Sequence, residues 1–316
     1  MNAREILALR QRVRGALRAV FDGLGFLEVD TPVLATEVLP EAHIDPVPVS
    51  VDGGPRPTHY LQASPELLMK RLLAAGSGPI YQFARSFRAG EVGLQHDVEF
   101  VMLEWYAPQT SLDDAAGLLE RLCHAVLGTV GVERTTCAAA FRHHAGTDPL
   151  AASAAELLAT LRRSGVAVPA SWAGLTEADL RDRAFELLLA EVVQPRLGHG
   201  RPTMLEAWPA SQAAFARLDS SGTARRFELF VAGVELANGW EEDTDRATLA
   251  ARIDAANRAR AAAGRDTLPV PERLLAAHGP AMPDGVGAAL GFDRLAMLAA
   301  GVDSIDAVRC FTSRTA

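Results

Sequence analysis

Cysteine is scarce in this 316-residue sequence. Cys123, Cys137 and Cys310 are odd in number, and their spacings fit neither a disulfide framework nor a metal-binding repeat, which points to a reducing, cytoplasmic setting. Long apolar runs are missing: none approaches the roughly 18 residues that a membrane-spanning helix requires, so no membrane association is expected. Excess positive charge is also absent. A net charge of −8 argues against bulk, sequence-independent nucleic-acid binding but leaves room for a local basic patch. Several chemical signatures are missing too: a Gly-x-Ser-x-Gly nucleophile elbow, a GK[ST] phosphate loop and a full Gly-x-Gly-x-x-Gly. His143 and His144 are adjacent, cannot share one helix face, and make a poor zinc site.

What remains is an ordinary globular composition, long enough to bury a full core. Ile6, Leu9, Val13, Leu17, Val20 and Leu24 recur at helical spacing, so the Arg-rich start reads as an amphipathic helix ending near Gly23 or Gly25. "FLEVDTPVL" alternates like a strand, with Pro32 where the strand enters or leaves a sheet. Residues 40–58 read as a Pro/Gly-rich loop with short strands. "HYLQAS" leads as a strand into the helix "SPELLMKRLLAAG", with Ser at its start and Pro at its first position. Residues 80–106 form a hairpin, and about 111–200 reads as a helical insertion. Strand patterns resume at "TMLEAWP", "RRFELFVAG" and "VELANGW", the last with a turn at Asn238-Gly239. A polar helix follows, and the chain closes on "GVGAALGFDRLAMLAAG", a Gly-rich strand, a turn and a helix. Strands joined by hairpins rather than by βαβ alternation favour an antiparallel sheet in an α+β domain.

Three stretches could carry chemistry. In the hairpin "RSFRAGEVGLQHDVEFVMLEWY", Arg85 and Arg88 are three apart and face opposite ways from a strand, so only one can look into a given site. A guanidinium held on a strand suits a phosphate or carboxylate; the alternative is a solvated, salt-bridged hairpin. In "FELFVAGVELANGWEED", Glu228, Glu235 and Glu242 are spaced by seven, and Glu235 sits among apolar residues. A carboxylate there requires a partner, either Mg²⁺ bridging to phosphate or an arginine inside the sheet. In "GVGAALGFDRLAML", Gly287 and Gly291 permit close backbone approach, and Asp293-Arg294 open a helix whose N-terminus favours anions.

Taken in order, "FLEVDTPVL", "RSFRAGEVGLQHDVEFVMLEWY" and "GAALGFDRLAML" resemble motifs one, two and three of the class II aminoacyl-tRNA synthetases. "SPELLMKR", "MLEWY" and "ELANGWEE" narrow the resemblance to the lysyl-tRNA synthetase branch. It covers nearly the whole chain and is thin across 111–200. The resemblance implies a class II synthetase-like antiparallel sheet flanked by helices, as one catalytic domain over 1–316 with the helical insertion. With the catalytic-domain helix beginning at about residue 3, no N-terminal OB-fold anticodon-binding domain is expected, and so no tRNA anticodon binding. The sequence is similar to the truncated paralogues that attach lysine or (R)-β-lysine to a lysine of elongation factor P; Ala289 stands where the synthetases' third motif has its middle glycine.

The resemblance also implies roles. Arg88, Glu235 and Arg294 would be catalytic. ATP would meet Arg88, Ala89, Gly90, Glu91, His96, Asp97, Phe100, Glu235, Leu236, Gly291 and Arg294, with Phe100 stacked on adenine. Ser64, Pro65, Glu66, Glu104, Tyr106, Asn238 and Glu242 would line the pocket for lysine or (R)-β-lysine. Mg²⁺ would be held by Glu235 and Glu242, and a homodimer is expected by analogy. Two departures bear on ATP. Ala89-Gly90-Glu91 replaces the family's Asn-Glu-Glu, and Asp97-Val98 replaces Asn-Pro, placing a carboxylate where only Mg²⁺ or arginine could compensate it. Two alternatives stand beside the ligase reading: a lysyl-adenylate-forming enzyme with another acceptor, and a non-catalytic amino-acid-binding paralogue.

Overall fold

The computed structural model describes residues 1–51, 53–54 and 58–316. Asp52, Pro55, Arg56 and Pro57, part of the loop expected over 40–58, lie outside the described residues. In chain order the helices are α1 Ala3–Gly23, α2 Glu66–Ala74, α3 Leu112–Leu127, α4 Cys137–Ala145, α5 Ala154–Arg163, α6 Glu177–Leu188, α7 Arg246–Ala262, α8 Glu272–Ala277 and α9 Phe292–Ala300. The strands are β1 Leu27–Glu28, β2 Leu34–Ala35, β3 Val47–Val49, β4 His59–Leu61, β5 Ile80–Phe87, β6 Glu99–Pro108, β7 Glu133–Thr136, β8 Thr203–Trp208, β9 Ala224–Val231, β10 Val234–Glu241 and β11 Gly285–Gly291. The protein is α+β, and its chain divides into two compact units.

The first unit comprises Met1–Ser111, His124–Gly128 and Glu242–Ala316. Its main strands lie in the order β1-β5-β6-β11. β5 pairs antiparallel with β6, and β6 with β11, while β1 runs parallel to β5. A separate sheet holds β2-β4-β3. The single strand expected from "FLEVDTPVL" is thus two short ones in different sheets, separated by Pro32, which cannot donate to a ladder.

Helix α1 opens on a capping box between Asn2 and Glu5. Its buried stripe is Ile6, Leu9, Val13, Leu17 and Phe21; Phe21 completes it, whereas Leu24 lies past the helix end and is exposed. Phe21 stacks on Tyr81 of β5 with centroids 4.5 Å apart, and reaches Trp105 of β6 at 5.7 Å. Helix α2 begins one residue later than expected. Pro65 caps it, and Ser64 Oγ accepts from the Glu66 N–H (3.3 Å). Strand β11 passes directly into α9 at Gly291, so no separate turn intervenes.

The second unit comprises Leu112–Cys123 and Thr129–Glu241, with strands in the order β10-β9-β8-β7. β7, which runs parallel to β8, is a short strand inside the span read as a helical insertion. Phe141 of α4 stacks on Phe185 of α6 at 4.9 Å, and Trp208 closes the same core. The turn expected at Asn238-Gly239 does not exist. Both residues lie within β10, and the reversal falls at Ala232-Gly233, each with positive φ.

Because Phe21 is fully buried between two aromatic rings, Phe21→Ala should lower the unfolding free energy by about 3–5 kcal/mol, measured by chemical denaturation.

Candidate active site

Alternation along β5, β6 and β11 decides what faces the site. Tyr81, Phe83, Leu103 and Trp105 fall on one face of the sheet, the face covered by α1. Gln82, Phe100, Met102, Glu104 and Tyr106 fall on the other. Cross-strand register adds Gly287 opposite Tyr106, Ala289 opposite Glu104 and Gly291 opposite Met102. The α1 side also carries Arg85, which pairs there with Glu99 in solvent. Arg85 and Arg88 therefore look to opposite sides of the sheet, as their spacing implies.

At one end of this face lies a buried acidic pocket. Lys70 Nζ sits 2.6 Å from Glu66 Oε1 and 2.7 Å from Glu242 Oε2, and all three side chains are buried. Glu66 is one helical turn before Lys70 on α2, and the Glu242 backbone N–H donates to Gly285 O (2.9 Å). Tyr106 Oη donates to Glu104 Oε1 (2.6 Å), while Glu104 Oε2 is buried without a hydrogen-bond partner. A Cβ at position 287 would overlap the Tyr106 ring and Glu242 Oε1, so only glycine fits. Burial pushes the Glu104 carboxyl up to about 8, with the negative charge of Glu66 adding to it, against the Tyr106 hydrogen bond and the Lys70 charge. Burial alone would lower Lys70, but Glu242 and Glu66 more than offset it and hold the ammonium protonated.

At the other end the charge is positive. Arg88 follows directly on β5; its guanidinium lies over the Phe100 ring at 5.1 Å and 3.8 Å from Glu91 Oε2, and its Nε is buried without a partner. The Ala89 N–H donates to Asp45 O (2.8 Å), and Gly90 takes a positive φ that turns the loop. Arg294, on the first turn of α9, donates from Nη2 to His96 Nε2 (2.7 Å) and from Nε to Gln95 O (3.3 Å). Gly291 caps that helix, and a Cβ there would touch the Arg294 side chain. The Asp293-Arg294 pair splits its duties. Asp293 turns inward, accepting from Arg10 (2.6 Å) and from the Val101 N–H (2.9 Å).

Asp97 is neutralised from a distance in sequence. Its carboxylate accepts from Arg309 Nη1 (2.7 Å), the Ser313 N–H (3.0 Å), the Ser313 hydroxyl and the Val98 N–H (2.9 Å). Burial alone would raise this carboxyl; the Ser313 hydrogen bonds, then the Arg309 charge, offset it and hold the group below its ordinary range. Both oxygens are therefore engaged within the protein, and the compensating arginine that the substituted loop requires is Arg309.

In the second unit a β-bulge between Glu235 and Ala237 shifts the alternation. Glu235 pairs with Phe230 and Asn238 with Glu228, so Glu235 and Asn238 share a face although three residues apart. Leu236 is buried. Arg226, 4.1 Å over the Trp208 ring, donates to Asn238 Oδ1 (3.2 Å) and Glu228 Oε1 (2.6 Å). Glu228 carries an in-sheet Glu–Arg pair with Arg226. Half-exposed Glu235 offers the hard carboxylate oxygens that suit Mg²⁺. Glu242, in the first unit, is ion-paired through Oε2 with Lys70, and among the described residues no group of three or more His, Cys, Asp or Glu is arranged to hold a metal ion. Reading residues 64–76 only as a capped helix passes over Lys70; its place four residues after Glu66 is the signal that could have found it.

Removing one partner of the buried Asp97–Arg309 pair strands a charge. Arg309→Ala should destabilise the protein by about 3–5 kcal/mol and speed amide exchange through 88–98, measured by denaturation and hydrogen exchange. Glu104 holds its proton more tightly folded than unfolded. Its contribution to stability is complete below the ordinary carboxylate range and is lost as pH rises through about 8. Glu104→Gln should flatten that decline in denaturation midpoints taken from about pH 5 to about pH 9.

A family model described as tRNA synthetases class II (D, K and N) matches residues 1–315. The elongation factor P–(R)-β-lysine ligase of Enterobacter sp. (strain 638) is 38% identical over 314 residues, covering 97% of this chain and 94% of the relative. Its namesake from Edwardsiella ictaluri (strain 93-146) is 40% identical over 311 residues, with 97% and 94% covered. That from Klebsiella pneumoniae subsp. pneumoniae is 39% identical over 314 residues, again with 97% and 94% covered. Match and geometry agree, and the chain belongs to the class II tRNA synthetase family, in the group whose curated members carry the name elongation factor P–(R)-β-lysine ligase.

Proposed function

We propose that this protein is an ATP-dependent ligase that activates lysine or (R)-β-lysine as an aminoacyl-adenylate and transfers it to a lysine ε-amino group of elongation factor P. The observation that carries this reading is the acidic pocket of Glu66, Glu104 and Glu242 on the same sheet face as Arg88 and Phe100. A diamino acid brings ammonium groups for the acidic end, and its carboxylate and the ATP phosphates belong at the basic end. The names of the relatives supply the acceptor.

In the first step a substrate carboxylate oxygen attacks the α-phosphorus and pyrophosphate leaves. Arg88 neutralises both anions at closest approach, and Arg294 holds the γ-phosphate. Phe100 offers its face to adenine, with Ala89, Gly90, Glu91 and His96 beside the nucleotide and Asp97 acting from behind as the anchor of that loop. Gly291 gives the nucleotide room along its strand. Mg²⁺, which when bound neutralises phosphate charge, would be held at Glu235. In the second step the neutral acceptor amine attacks the acyl carbon, AMP leaves, and the amine proton passes to water. Ser64, Pro65, Tyr106 and Asn238 complete the amino-acid pocket. The working form is a cytoplasmic homodimer of one catalytic domain with its 111–200 insertion.

Pyrophosphate exchange into ATP that depends on lysine or (R)-β-lysine tests this reading, together with the mass of elongation factor P after incubation with enzyme, ATP and either amino acid. Exchange with neither amino acid by folded protein would overturn it. Arg88→Ala should lower the exchange rate by about 10²–10³-fold.

A further inference from the structure

Arg260, in the last turn of α7, is only 3% exposed. A buried guanidinium requires acceptors for its donors, and this one has them. Nη1 donates to Glu41 O (3.1 Å) and Ile44 O (2.8 Å), Nη2 to Asp45 Oδ1 (2.8 Å), and Nε to Asp266 O (2.8 Å). Three of these four acceptors lie in residues 41–45, a stretch between β2 and β3 that forms neither helix nor strand. The same stretch makes one contact with the site. Asp45 O accepts from the Ala89 N–H (2.8 Å), one residue past Arg88. The turn after Arg88 has little else to hold it. Ala89 and Gly90 carry no side-chain donor or acceptor, Gly90 takes a positive φ, and the Glu91 N–H reaches Arg88 O only at 3.4 Å. Before the turn, the Phe87 N–H donates to Gln62 O (2.8 Å) and the Arg88 N–H to Val98 O (2.9 Å). With alanine at 89, the main chain alone fixes where the turn begins.

We infer that Arg260 is a positioning residue for Arg88: it gathers residues 41–45 around one guanidinium and so aims Asp45 O at the Ala89 N–H, which sets the direction in which the Arg88 side chain leaves the end of β5 and lies over the Phe100 ring. A planar fork suits the task, because it serves two carbonyls and a carboxylate at fixed angles. Lysine, a point charge on a flexible stem, keeps the attraction to Asp45 without those angles. Arg265 reaches the other Asp45 carboxylate oxygen at 3.5 Å, which supports the residue but touches neither Glu41 O nor Ile44 O. The hold of Arg260 on the turn rests on contacts within the chain alone. That Arg88 acts on ATP and on the amino-acid carboxylate rests on the ligase reading.

Two measurements separate the aiming of one turn from general support of the fold. The first is amide hydrogen exchange in the unliganded protein. In Arg260→Ala the Ala89 amide, resolved from overlapping fragments, should exchange about tenfold faster or more, while amides within the β5–β6 ladder keep their wild-type rates. Equal acceleration in turn and ladder would make Arg260 a support of the whole unit, and an unchanged Ala89 amide would show that it holds nothing there; either result overturns the inference. If Arg260→Ala does not fold, Arg260→Lys is read in the same way, with the same selective acceleration expected. The second measurement is pyrophosphate exchange. Arg260→Ala should lower kcat by about tenfold to a hundredfold, with KM for the amino acid much less affected. Because the effect passes through Arg88, adding Arg260→Ala to Arg88→Ala should lower kcat no further. Full additivity of the two substitutions, or a wild-type kcat in folded Arg260→Ala, would overturn the inference. If wild type exchanges pyrophosphate with neither amino acid, the ligase reading fails, and the Ala89 amide alone still decides whether Arg260 holds the turn.

Discussion

Three carboxyl groups buried beside one ammonium group constrain the first unit. A buried carboxylate costs several kcal/mol unless a cation or hydrogen-bond donors meet it. Glu66, Glu104 and Glu242 arrive from a helix, a strand and the segment after a strand, and they can coexist only if Lys70 and Tyr106 are placed to meet them. That demand fixes α2 against the site face of β6. It also fixes glycine at 287, where any side chain would displace two members of the group. The other side of the same strand is held as tightly by unlike chemistry, with Phe21, Tyr81 and Trp105 stacked beneath α1. β6 is therefore buried on both faces, apolar on one and ionic on the other.

Much of this was legible in the sequence because strand parity is a local property. Arg88, Phe100, Glu104 and Tyr106 fall on one face by counting in twos, and Arg85 falls away from them. Where counting failed, a local irregularity or a distant partner was responsible. The bulge after Glu235 shifts the alternation by one residue, so Asn238-Gly239, which resembles a turn, continues the strand, and the reversal occurs earlier at Ala232-Gly233. Pro32 divides one alternating run between two sheets. Asp97 looked uncompensated because its partner, Arg309, stands 212 positions away, and no spacing rule reaches that far.

The Asp97–Arg309 contact alters the meaning of the substituted loop. An asparagine-to-aspartate exchange beside a polyphosphate site would repel the nucleotide if the carboxylate faced it. Here the carboxylate faces the C-terminal segment and draws donors from Arg309, Ser313 and Val98. The charge becomes a fastening for one end of the 88–98 loop, while the Ala89 N–H on Asp45 O fastens the other. Asp45 is itself held by Arg260 (2.8 Å). The loop that carries the family's missing asparagine and glutamate is thus held at both ends by residues outside the recognisable motif.

The charge layout of one sheet face sets the direction in which a substrate can lie. Phe100 and Glu104 are separated by four residues on β6, about 13 Å of strand. Arg88 stands at the Phe100 end and the acidic group at the other, with Met102 between them. A zwitterionic amino acid with a cationic tail has one favourable orientation on such a surface, carboxylate towards the arginine and tail towards Glu104. That orientation brings the carboxylate to the end where phosphate would lie. Reversal would set the carboxylate against Glu104 and the ammonium against Arg88. The geometry needed for adenylation thus follows from which end of the strand carries which sign.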